Sequence, residues 1–250
     1  MRRICILEND HLDPEVAPLY QGYGAMFERL LRGVGANAHF DVFNTELGQY
    51  PASFDDYDAV ILTGGRADAF SDEPWVVRLR ETVANLLQPQ SKPKLVGVCL
   101  GHQLVGLCLG AEVGRSSKGW GAGRMTYQWL EPGFGGDCEG DEIALLASHQ
   151  DQVAELPEGA TLLATSDFCP VAAFRLGDRV LCVQPHPEFI EDYSAYLLQK
   201  RRRSIGEERF AQGMQELAKG HEGDRFARMM LAFIEGAKTS VGAANARAAN

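Results

Sequence analysis

The chain is short of positive charge: 24 Lys and Arg stand against 34 Asp and Glu, a formal net charge of −10. An acidic surface repels nucleic acid and anionic lipid alike, so neither is expected as a partner. No apolar run approaches the length that crosses a bilayer. Met1-Arg2-Arg3 begins like a secretory leader, but only Ile4 to Leu7 follow before Glu8-Asn9-Asp10. That is too short for the apolar core of a leader. The six cysteines, at 5, 99, 108, 138, 169 and 182, form no Cys-x-x-Cys pair, and most lie in apolar runs. This argues against a zinc ribbon or a disulfide framework and fits a reducing cytoplasm. The six histidines contain no His-x-x-x-His spacing, so no metal and no cofactor are expected. No internal repeat is visible.

What is present reads as an α/β chain. With 250 residues and 45% hydrophobic composition there is material for one large core or two small ones. Arg3 to Leu7, Ala38 to Phe43 and Ala59 to Thr63 read as strands. Between them, Gly22 to Val34 carries Tyr23, Met26, Phe27, Leu30, Leu31 and Val34 at helical spacing. Ser71-Asp72-Glu73-Pro74 opens a helix running to about Gln88, with an early proline. This alternation predicts a mostly parallel, doubly wound sheet flanked by helices. Ala111 to Leu130 is glycine-rich and strand-like, which predicts hairpins as a small antiparallel β addition. Pro132 to Gly140 reads as a loop, and Ile143 to Ala147 as a strand. Three helices are predicted near the C-terminus, Glu191–Arg203, Glu207–Lys219 and Asp224–Ala237, with Arg201-Arg202-Arg203 as a solvated helix end. The expected division is 1–190 for the main domain and 191–239 for a helical extension on it, with 240–250 a frayed tail.

The chemistry concentrates where Lys94 to Val98, a buried strand, runs into Cys99-Leu100-Gly101-His102-Gln103. A cysteine between strand and helix, flanked by Gly97 and Gly101, has the layout of a nucleophile elbow. There Cys99 faces a helix N-terminus, which favours thiolate over thiol. A plain buried core cysteine is the alternative, but Gln103 lies one helical turn on, a polar group in an apolar helix. A nucleophilic cysteine needs a base. His186 ends the β-rich run Val180 to Gln184, and Glu188 lies two residues on, the same side of an extended segment. His149 is a rival base at the end of another strand, read here as a substrate-loop residue.

Together these residues resemble the class I (triad) glutamine amidotransferases, in particular a stand-alone member like the glutaminase of GMP synthase. Gly97-Val98-Cys99-Leu100-Gly101-His102-Gln103 matches that family's Gly-x-Cys-x-Gly-x-Gln elbow, and His186-Pro187-Glu188 its His-x-Glu pair. Thr63-Gly64-Gly65 is similar to the glycine turn of the oxyanion hole, and Ser148-His149-Gln150-Asp151-Gln152-Val153 to the segment lining the glutamine site. Arg66 departs from the proline that usually continues the glycine turn, and Gly119-Trp120-Gly121 matches the family's acidic-x-Gly segment loosely. The resemblance implies a flavodoxin-like fold and a Cys99–His186–Glu188 triad. It also implies oxyanion donors at Gly65 and Leu100 and substrate contacts from Gln103, Ser148, His149 and Gln150. The implied reaction is hydrolysis of the γ-carboxamide of glutamine through a cysteine thioester. A γ-glutamyl peptide hydrolase is the alternative, and a non-catalytic regulatory module on the same fold a third. No ATP-handling loop of the Gly-x-x-x-x-Gly-Lys-Ser/Thr or Ser-Gly-Gly-x-Asp-Ser type is found. Either a separate synthetase takes up the ammonia, or the γ-glutamyl bond is cleaved for its own sake. Arg66 to Phe70, Gly119-Trp120-Gly121 and the Gln150 loop are expected to wall the leaving-group side.

Overall fold

A computed structural model describes residues 1–136 and 140–236. The expected tail at 240–250, Cys138 and part of the 132–140 loop lie outside them. The N-terminal half runs β1 (Arg2–Glu8), α1 (Ala17–Tyr20), α2 (Tyr23–Gly33), β2 (Ala38–Asn44), β3 (Ala59–Leu62), α3 (Pro74–Leu86), β4 (Lys94–Val98) and α4 (Leu100–Cys108). The next strands are β5 (Val113–Arg115), β6 (Gly121–Trp129), β7 (Glu142–His149), β8 (Asp151–Val153), β9 (Thr161–Thr165), β10 (Ala173–Leu176) and β11 (Val180–Val183). Three helices follow: α5 (Glu191–Ile205), α6 (Glu207–Leu217) and α7 (Gly223–Glu235).

Among the described residues, nine strands form one sheet in the order β2-β1-β3-β4-β11-β10-β9-β6-β7. The first five are mutually parallel, as the β-helix-β alternation requires. The remaining four continue the same sheet antiparallel, so most of the antiparallel structure is an extension of the main sheet. The separate two-stranded piece is β5 with β8. The hairpins expected within 111–130 do not form there, because β5 and β6 pair with different partners. Glycines mark turns in that stretch without naming the strand across the turn.

Strand alternation explains the layers. Ile4, Ile6, Ile61, Val96, Val98, Leu181 and Val183 point to one face, where Phe27 and Leu31 of α2 and Phe226, Met230 and Phe233 of α7 cover them. Leu7, Val60, Leu62, Leu95, Val180 and Cys182 point to the other, under Leu79 and Val83 of α3 and Leu104 of α4. Strands buried on both faces are near-continuous apolar runs, as β3 and β11 are. A third apolar cluster seats α5 through Tyr193, Leu197 and Leu198 against Leu146 of β7, Tyr23 of α2 and Phe189. No helix among the described residues is long and apolar enough to cross a membrane.

Register brings the chemistry to one edge. Leu62 lies opposite Gly97 and Val98 opposite Val183, so Thr63, Cys99 and Gln184 leave three adjacent parallel strands side by side. The approach of α4 to the sheet demands glycine. A Cβ on Gly101 would lie 2.5 Å from Leu62 Cβ and 2.6 Å from Leu62 O, both part of or next to the backbone of β3. Gly101→Ala is therefore expected to cost about 1–3 kcal/mol, as overpacking does. That corresponds to a fall in Tm of about 2–4 °C per kcal/mol for a chain of this size. Calorimetric unfolding with an unchanged Tm would refute the close approach.

Candidate active site

Cys99 sits between β4 and α4 at φ 52° and ψ −102°, one of two described non-glycine residues with positive φ. A side chain held in that region of backbone space costs of order 1–3 kcal/mol and persists only where its surroundings enforce it. Here three contacts enforce it. Cys99 N donates to Val183 O at 2.9 Å, and its carbonyl accepts from Gln103 N at 3.0 Å as the first helical bond. A Cβ on Gly97 would sit 2.7 Å from Gly101 O, so only glycine lets the strand and helix close the turn. The Cys99 side chain is buried but lines a cleft of about 430 Å³ at this edge of the sheet.

His186 lies beyond the end of β11, on a segment that crosses to β7, where its backbone N donates to Leu146 O at 2.8 Å. Its Nδ1 is 2.7 Å from Glu188 Oε1, and both side chains are almost wholly buried. Phe189 stacks on the imidazole at 3.8 Å with an interplanar angle of 8°, fixing the ring plane. Burial alone would lower the pKa of His186. The Glu188 carboxylate and the facing Cys99, within hydrogen-bonding reach, outweigh it and raise the value to about 10. Gly64 completes the contact: a Cβ there would fall 2.5 Å from His186 Cε1 and 3.3 Å from Cys99 Cβ. The structure thus brings Cys99, His186, Glu188 and the glycine turn together. No hydrogen bond among the described residues uses the N–H of Gly65 or of Leu100.

The other expected residues surround the same cleft, with duties the sequence did not reveal. Gln103 Nε2 donates to Asp151 O at 2.8 Å and to Gln184 Oε1 at 3.2 Å, tying α4 to β8 and to the exit of β11. His149 Nδ1 approaches the same Asp151 O at 3.1 Å; a carbonyl only accepts, so this nitrogen carries the hydrogen. Burial drives the pKa of His149 down to about 3, which leaves it neutral and unsuited to take a proton near pH 7. A Cβ on Gly121 would come within 2.7 Å of His149 Nε2, so the Gly119-Trp120-Gly121 turn packs directly on that ring. Ser148 accepts from Arg201, and Gln150 Oε1 accepts from Arg115 Nη1 at 2.9 Å. His102 is buried against Phe174, with its pKa also lowered to about 3 by burial, in keeping with a structural role.

Of the expected leaving-group wall, Arg66, Ala67, Asp68, Trp120 and Gln150 line the cleft, whereas Ala69, Phe70, Gly119 and Gly121 do not. Arg66 is already engaged: its Nε donates to Asp10 Oδ2 at 3.0 Å and its Nη2 to His11 O at 2.6 Å. Asp151 faces Asp68, and burial together with that second carboxyl raises its pKa to about 6. Tyr193, Leu197, Lys200 and Arg201 of α5 form a further wall. The sequence predicts the helix itself, and in it the arginine run is the one sign that a face looks into a site. Asp10, His11 and Glu46 are the one group of possible metal ligands found among the described residues, and Arg66 already neutralises Asp10.

The chain matches the family model for glutamine amidotransferase class-I over residues 17–200. It is 36% identical to gamma-glutamyl peptidase 3 of Arabidopsis thaliana over 176 residues, 67% of this chain and 70% of that protein. The glutamine-hydrolyzing GMP synthase subunit of Archaeoglobus fulgidus is 32% identical over 170 residues, covering 68% of this chain and 85% of that protein. The crystal structure of a glutamine amidotransferase from Thermotoga maritima superposes with a TM-score of 0.72 at 19% identity, over 94% and 97% of the two chains. That likeness shows the fold.

The raised pKa of His186 has a measurable consequence. Between pH 6.5 and about 10 the folded protein keeps a proton that the unfolded chain releases. Its stabilisation is complete below pH 6.5 and is lost as pH rises through about 10. Glu188→Gln removes the leading cause of the rise. Thermal stability of the variant is expected to fall less steeply across this window than that of wild type. Equal slopes would mean that Glu188 does not hold the proton.

Proposed function

The chain belongs to the class I glutamine amidotransferases, and on that premise we propose that it hydrolyses a γ-glutamyl amide through a thioester on Cys99. One observation carries this reading: a cysteine in strained backbone at a helix N-terminus, facing a histidine held at 2.7 Å by a buried glutamate. In the first half-reaction the Cys99 thiolate attacks the γ-carbonyl carbon, and its oxygen becomes an oxyanion. The N–H groups of Gly65 and Leu100, without a hydrogen bond among the described residues, stabilise that charge. The C–N bond then breaks as His186 gives its proton to the departing nitrogen. In the second, His186 takes a proton from water, which cleaves the thioester to release glutamate and restore the thiolate. Glu188 orients the imidazole and stabilises its cation. Gln103, Ser148, His149 and Gln150 shape the pocket, the first and third through the shared Asp151 carbonyl.

Glutamine is the smallest substrate of this chemistry, and the similarity to a GMP synthase subunit supports it, with a separate synthetase as the ammonia acceptor. A second reading is cleavage of γ-glutamyl peptides. The specific observation in its favour is the cleft: about 430 Å³, within the range of roughly 300–1,000 Å³ that encloses ligands larger than one amino acid. The similarity to a gamma-glutamyl peptidase points the same way. In either reading residues 1–190 carry the chemistry, and the helices that follow, described to residue 236, form an extension of which α5 helps wall the cleft. The five described cysteines are all free thiols, which supports a reducing, cytoplasmic location.

Cys99→Ala is expected to lower turnover by at least about a thousandfold, as loss of a nucleophile does, while the fold survives. Glutamate release from glutamine and from γ-glutamyl dipeptides, measured side by side, tests both readings. Variant activity within about tenfold of wild type would remove Cys99 from its role. Glutamine left intact while dipeptides are cleaved would select the peptidase.

A further inference from the structure

The run Arg201-Arg202-Arg203 does not behave as a solvated unit. Arg202 turns outward, donating from Nε and Nη2 to Glu207 at 2.8 and 2.6 Å and lying over Phe210 at 4.4 Å. Arg203 is exposed. Arg201 turns the other way, into the cleft that holds Cys99. Its Nη1 donates to Ser148 O at 3.1 Å and to Ser148 Oγ, and its guanidinium lies over the Trp120 ring at 5.3 Å.

The other cations of the cleft have carboxylate partners. Arg66 is held by Asp10, Lys200 by Asp13, and Arg115 lies 3.8 and 3.7 Å from Asp68 and Asp151. Arg201 forms no ion pair with a carboxylate among the described residues. Two of its donor positions, Nε and Nη2, make no hydrogen bond there, and neither is a buried orphan. The cleft therefore contains one guanidinium that is positioned by a backbone carbonyl, a hydroxyl and an indole face, with its fork left open. A cation held this way has already lost much of its side-chain freedom, so a ligand need not order it again.

We propose that Arg201, contributed by α5, forms a carboxylate-binding subsite of this cleft, so that the preferred substrates are those that present a free carboxylate to it. The proposal rests on the γ-glutamyl amide reading for the identity of its ligands. Two carboxylates satisfy the chemistry: that on the α-carbon of the glutamyl unit, and the C-terminal one of a peptide leaving group. A planar fork accepts either in bidentate fashion, which a lysine ammonium cannot do.

Binding in the Cys99→Ala background, where no turnover intervenes, separates the possibilities. The ligands for titration calorimetry are glutamine, glutamine with its α-carboxylate amidated, a γ-glutamyl dipeptide, and that dipeptide amidated at its C-terminus. Arg201→Gln is expected to weaken at least one carboxylate ligand by about 10- to 100-fold, the usual range for a charge-assisted pair. Arg201→Lys should recover part of the loss. Against the ligand whose relevant carboxylate is amidated, Arg201→Gln should cost nothing further. Loss for glutamine and dipeptide alike assigns the α-carboxylate; loss for the free dipeptide alone assigns the leaving group. If Arg201→Gln misfolds, the comparison of free with amidated ligands on intact Arg201 still decides the matter, since a subsite requires a preference for the free form. Equal affinities for free and amidated ligands, or no binding of any of the four, would overturn the subsite. Failure of the hydrolase reading looks different: ligands bind with this carboxylate preference, yet the protein carrying Cys99 cleaves none of them.

Discussion

The backbone at Cys99 is the constraint on which the rest of this edge depends. A cysteine at φ 52° cannot hold that conformation in a free loop, because its Cβ crowds the backbone. It is held because β4 is locked on both sides, by β3 and β11, while α4 starts at once and packs down on Leu62. Gly97 and Gly101 make that packing possible by having no side chain where strand and helix meet. The sulfur consequently lies at the end of a buried strand yet borders a cleft, at the positive end of a helix.

Once the sulfur is placed, the electrostatics of three buried histidines divide the labour. His102 and His149 lie in surroundings that disfavour charge and have pKa values near 3. His186 is as deeply buried, but Glu188 and Cys99 reverse the effect of burial and raise its pKa to about 10. Only one imidazole near the sulfur is thus able to carry a proton at neutral pH. The neutral His149 lines the cleft instead, sharing the Asp151 carbonyl with Gln103 and filling the space left by Gly121.

The C-terminal helices are part of the same construction. α5 is seated on β7 and α2 through Tyr193, Leu197 and Leu198, and Lys200 and Arg201, at helical spacing from Tyr193 on the same side, extend into the cleft. Tyr196 and Lys200 reach Asp13 in the loop after β1, so the helix is tied to both sides of the opening. Residues outside the elbow, from the first loop to α5, therefore decide what can approach the sulfur.

Much of this is legible in the linear chain. Cys99 and Gln103 are one helical turn apart, and His186 and Glu188 one strand repeat apart, so local geometry alone gives each pair a common side. The parallel half of the sheet is legible because strands buried on both faces must be apolar and must alternate with helices. Strands β9 and β10 are not legible in this way, and β5 and β6 take partners other than those expected, because antiparallel pairing is decided by long-range register that short, half-buried segments do not encode. The partner of Arg66 and the split of the arginine run are equally hidden. Arg201 and Arg202 are adjacent in sequence, and only the seating of α5 on β7 turns one toward Ser148 and the other toward Glu207. The sequence by itself determined which side chains can do the chemistry, since that depends on residue type and local spacing. The tertiary structure decided which of them meet, which histidine holds a proton and which cation stays open, because burial and charge pairing are properties of neighbours distant along the chain.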